Sequence, residues 1–98
     1  MYVAIVHQVR DAQAFLSRGE RLADPSTAPP GVVPRQFCPS QDRSTATCIW
    51  EAGSLDAARD HIDSTLGDSS HNTYFEINTE YALRLPEPAT TQAWCCAS

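Results

Sequence analysis

Residues 2–9, Tyr-Val-Ala-Ile-Val-His-Gln-Val, alternate in the manner of a β-strand. Val3, Ile5, His7 and Val9 fall on one face, and Tyr2, Ala4, Val6 and Gln8 on the other. Both faces are largely apolar, so this strand is expected to be covered on both sides. From Ala12 the period lengthens to that of a helix, with Phe15, Leu16, Gly19, Leu22 and Ala23 on one stripe and Asp11 as N-cap or first-turn acid. The stretch 24–31, with its three prolines and no periodicity, is a stiffened loop. Val32 to Cys38 reads as a second strand, its Pro34 pointing to an edge position. After a polar turn over 39–43, Ser44 to Ala52 reads as a third strand, with Ala46, Cys48 and Trp50 set against Ile49.

The stretch 44–66 organises the rest of the chain. Gly53 ends the third strand, Ser54 caps a helix, and Asp56 sits in the first turn, where a carboxylate is favoured. Leu55, Ala58, Ile62 and Leu66 form its apolar stripe and Gly67 follows as the C′ residue. A polar loop is expected over 68–72, a fourth strand over Thr73 to Asn78, and a turn or helical cap over 79–85. The order β-α-β-β-α-β predicts an α+β, ferredoxin-like domain over 1–85: a four-stranded antiparallel sheet with two helices on one face. Residues 86–98 read as a flexible tail. The sheet's second face would be bare in a monomer, which leads to the expectation of a homodimer joined through sheet faces.

Composition narrows the function classes. The chain has 98 residues, a single domain's worth, and its hydrophobic fraction of 42% is ordinary for a globular protein. A net charge of −5 argues against general nucleic-acid binding, which needs clustered positive charge. Every basic residue is arginine, so lysine Schiff-base chemistry is excluded. The first residues carry neither a basic n-region nor a small-residue cleavage site, and no apolar run is long enough to span a membrane. The expected location is the cytoplasm, with no membrane partner. Cys38, Cys48, Cys95 and Cys96 have no Cys-x-x-Cys spacing and would be reduced there. Phosphate-binding glycine loops, nucleophile elbows, His-Glu-x-x-His and nucleotide fingerprints are all absent from the sequence.

The run Cys48-Ile49-Trp50-Glu51-Ala52-Gly53-Ser54-Leu55-Asp56-Ala57-Ala58-Arg59 resembles a signature of small actinobacterial ferredoxin-like proteins of an uncharacterised family. Their pattern is Cys-(Ile/Leu)-(Tyr/Trp)-Glu-Ala-x-Ser-x-(Asp/Glu)-Ala-x-Arg. One branch of that family is described as nickel-binding, through histidines of the first strand and its neighbours, and His7 falls where such a histidine would sit. Gln8 stands beside it, where the metal-binding relatives carry a richer histidine set. The wider resemblance is to the dimeric α/β-barrel superfamily, which includes cofactor-free monooxygenases, polyketide cyclases, isomerases and plain binding proteins.

His7 is the first candidate for chemistry: a general base or metal ligand facing a pocket, or a histidine hydrogen-bonded in the core. His61, on the flank of the second helix, and His71, in a loop, are weaker candidates. Cys48 is either a small buried apolar residue or a nucleophile whose pKa His7 lowers. Trp50, Tyr74, Phe75 and Phe37 either line a site for a flat ligand or pack the core. Glu51 and Glu76 are read on neighbouring strands, as surface partners of Arg35 or Arg59 or, for Glu51, as a buried base. Cys95-Cys96 is read as an adventitious thiol pair. The leading expectation is a homodimer that binds a small organic ligand or a divalent metal such as nickel without turnover. Its site lies between sheet and helices and is lined by His7, Trp50, Cys48 and Tyr74, with Arg35. The alternative is a cofactor-free monooxygenase, isomerase or cyclase in which His7 is the base and Arg35 or Trp50 positions an aromatic or polyketide-like substrate. A purely structural partner domain is the third.

Overall fold

The alternation at the N-terminus builds β1 (Tyr2–Val9), in which Val3, Ile5 and His7 point inward and are essentially inaccessible to solvent. A computed structural model describes residues 1–85; the expected tail, with Cys95 and Cys96, lies outside the described residues. Asp11 accepts from the Ala14 N–H and so caps α1 (Ala12–Ala23), which buries Phe15 and Leu22. A short 3₁₀ turn at Pro25–Thr27 follows, then β2 (Val33–Pro39) and β3 (Thr45–Glu51). Ser54 accepts from the Ala57 N–H at the start of α2 (Leu55–Leu66), which buries Ala58, Ile62 and Leu66. Gly67, at φ +57°, ends that helix in a conformation costly for any residue with a Cβ. The Arg18 guanidinium donates to the Leu66 carbonyl at 2.8 Å and pairs with Asp68, tying the end of α2 to α1.

Cys38, expected to be reduced, is disulfide-bonded, and the start of the fourth strand is also corrected. The polar stretch 68–72 is not a loop throughout: after a 3₁₀ turn at Gly67–Ser69, β4 (Ser70–Glu76) begins three residues before the expected Thr73. Ser70 and Asn72 have poor strand propensity. They are drawn into the ladder because Val9 pairs with Ser70 and His7 with Asn72, where both side chains find polar partners.

The strands form one antiparallel sheet in the order β2-β3-β1-β4, the split arrangement the element order predicts. Pro34 sits on edge strand β2, beside a register shift between Pro34 and Gln36. The inner face carries Val3, Ile5, Ala46, Cys48 and Trp50, which pack with Phe15, Leu22, Ala58, Ile62 and Leu66 of the two helices. On the outer face Ala4, Val6 and Ile49 are half-buried, while Val33 and Phe75 are 37% and 52% exposed. Glu51 and Glu76 are not on neighbouring strands, since β1 separates β3 from β4.

Candidate functional site

His7 is the node of a polar line that crosses the inner face from β3 to α2. Ile5 pairs with Cys48, so His7 stands one diagonal step from the thiol, and His7 pairs directly with Asn72. The His7 Nε2 lies 3.1 Å from Cys48 Sγ, and its Nδ1 lies 2.6 Å from Asn72 Oδ1. Ser70 Oγ donates to the same Asn72 oxygen at 2.8 Å, and Asn72 Nδ2 donates to Asp63 Oδ1 at 2.9 Å. The Tyr74 hydroxyl donates to that same carboxylate oxygen. The line therefore runs from Asp63, exposed on α2, to a thiol that is only 3% exposed.

The donors settle the tautomer. A carboxylate only accepts, so the Asn72 amide nitrogen faces Asp63 and its oxygen faces His7. His7 then donates from Nδ1 and keeps a lone pair on Nε2, toward which the Cys48 S–H is directed. The Phe15 ring meets the imidazole edge-on, with centroids 5.2 Å apart. Burial lowers the His7 pKa from its ordinary 6.5, against the Asn72 hydrogen bond and the Asp63 charge, which raise it. The imidazole is neutral at pH 7. Burial pushes the Cys48 thiol up to about 12, so it is protonated and poorly nucleophilic in this arrangement. Tyr74 is also held above its ordinary value, by burial and then by its bond to Asp63, and stays a donor.

Of the residues expected to line a site, His7, Cys48 and Tyr74 are thus brought together, the last through Asp63. Trp50 is next along the inner face of β3, wholly buried, its ring 5.7 Å from that of His61. Burial lowers the His61 pKa as well. Arg35 lies elsewhere, on β2 at the opposite edge of the sheet from Tyr74, paired with Glu51. That pairing, which the sequence allowed, holds the Glu51 carboxyl below the usual carboxylate range. Arg59 pairs with Asp56 one turn away. His71 pairs in register with Gln8 and is exposed on the outer face, so it does not converge with His7. Among the described residues, no group of three or more His, Cys, Asp or Glu side chains is placed to hold a metal ion. No helix among them is long and apolar enough to cross a membrane.

Asp63, Asn72 and Ser70 were not singled out from the sequence. Asp63 did carry a signal. It occupies the last turn of α2, where the helix dipole disfavours a carboxylate, and so asks for a tertiary partner. Asn72 carried none, because its role depends on pairing with His7. Comparison with protein-family models, with curated proteins and with solved structures finds no match to this chain.

Proposed function

We propose that this protein is a ligand-binding domain that holds a small organic molecule or a divalent metal, without turnover, between the sheet and the helices. The observation that carries the reading is His7: a neutral imidazole with an acceptor nitrogen on the inner face, at the buried end of a polar line that starts in solvent. Perturbed histidines held this way are enriched at functional sites. Cys48, Trp50 and Tyr74 complete the lining in this reading, and the protonated thiol favours binding over nucleophilic chemistry. The domain works as a homodimer, two sheets facing each other as in a dimeric α/β barrel. The apolar row Ile49, Ala4 and Phe75, with Val6 and Val33, supports that arrangement, because a second copy would remove it from water.

A second reading has one observation in its favour. A neutral imidazole whose Nε2 lone pair meets only the weak S–H donor of Cys48 is in the state a general base requires, so a cofactor-free monooxygenase, isomerase or cyclase would use His7 in that role. The test is a thermal-shift screen against divalent metals, aromatic acids and polyketide-like compounds, with His7→Ala in parallel. Selective stabilisation that disappears in His7→Ala is the expected result. Stabilisation that survives the substitution removes His7 from the site, and an unresponsive protein removes the ligand.

A further inference from the structure

His7 and Cys48 are 1% and 3% exposed, so nothing reaches them unless the protein opens locally. The polar line shows where. Both bonds from β4 side chains to α2 converge on one carboxylate oxygen: Asn72 Nδ2 and the Tyr74 hydroxyl each donate to Asp63 Oδ1. Asp63 is exposed, so water competes for these bonds at all times. β4 is an edge strand, bonded to β1 alone on its ladder, which leaves its other side unrestrained by the sheet. The far side of α2 is held differently. Arg18 of α1 grips the Leu66 carbonyl and Asp68, so α2 keeps its helical neighbour when it parts from the strand.

From this we infer that Asp63 is the latch of the site: the seam between α2 and β4 opens there and admits small molecules to His7 and Cys48. The latch regulates access to the site proposed above, and its relevance to a ligand rests on that reading. Its placement is costly to the helix, since a carboxylate in the last turn faces the negative end of the dipole. An acid kept at the unfavourable end of a helix, bonded to two donors of the next strand, is placed for the strand and not for the helix. Beneath it, Asn72 passes the effect inward. Released from Asp63, its amide is held through its oxygen alone, by Ser70 and His7, and the acceptor that fixes the His7 tautomer is loosened with it.

Cys48 is a built-in reporter of the opening. The native full-length protein is exposed to iodoacetamide, and alkylation of the Cys48 peptide is followed by mass spectrometry beside the urea unfolding curve, for the parent chain, Asp63→Ala and Tyr74→Phe. Asp63→Ala is expected to speed labelling about tenfold beyond any change in the unfolding equilibrium, the scale of a lost charge-assisted hydrogen bond. Tyr74→Phe, which removes one of the two donors, is expected to fall between. Labelling that follows the unfolding equilibrium in all three proteins, or that is unchanged in Asp63→Ala, overturns the latch. No ligand enters this experiment, so a failed latch is distinguishable from a failed ligand screen.

Discussion

The two faces of the sheet are built from the same strands and behave differently. The inner face is sealed: Val3, Ile5, Trp50 and His7 have essentially no exposure, and its polar atoms along the His7 line are matched donor to acceptor. The outer face is apolar along the row Ile49, Ala4 and Phe75 but remains half-buried or exposed, with an ion pair, Arg35 with Glu51, at the β2 edge. Apolarity alone therefore does not distinguish the two faces of such a sheet. What distinguishes the inner face is a polar group placed where burial makes it expensive, and matched.

The largest expected contrast comes from equivalent truncations on the two faces. Ile5→Ala removes a side chain from the sealed core and should cost about 2–5 kcal/mol. Ile49→Ala, on the outer face, should cost about 1 kcal/mol or less at protein concentrations low enough to keep the proposed dimer apart. Urea unfolding reads both. Equal losses would mean that the outer face is as well covered as the inner one.

A smaller effect sharpens the account of the polar line. Asn72→Ala strips the acceptor from the His7 Nδ1–H and from Ser70, and should lower stability by about 1–3 kcal/mol, the usual cost of leaving a buried donor unpaired. An unchanged unfolding midpoint would show that the line is not maintained in solution.

Much of this contrast was legible in the sequence. Alternation placed His7 with Val3 and Ile5, and Cys48 with Trp50, and the strand order made His7 a neighbour of the thiol. Ser54 and Gly67 mark the ends of α2 by their chemistry alone. The illegible part was the fourth strand's start, since Ser70, His71 and Asn72 have the composition of a loop and become strand only through pairing with β1. With that start misread, Asn72 fell outside the sheet and the link from His7 to Asp63 was lost. Arg35 shows the opposite limit: its pairing with Glu51 was within reach of the sequence, but only the strand order shows that this pair lies across the sheet from Tyr74.

The most direct measurement of the central claim is the protonation of His7 itself, by ¹⁵N NMR of the imidazole through a pH titration. The account predicts a neutral ring protonated on Nδ1, titrating below the ordinary 6.5 because burial disfavours the imidazolium. The sign for stability follows. The unfolded chain takes up a proton below 6.5 that the folded ring resists, so the contribution of His7 is present above 6.5 and lost as pH falls through its folded pKa. Part of the acid limb belongs to the partly buried His61, and His7→Gln should flatten only the remainder. A ring protonated on Nε2, or one titrating at or above 6.5, would contradict the sealed, matched line on which the proposed inner-face site rests.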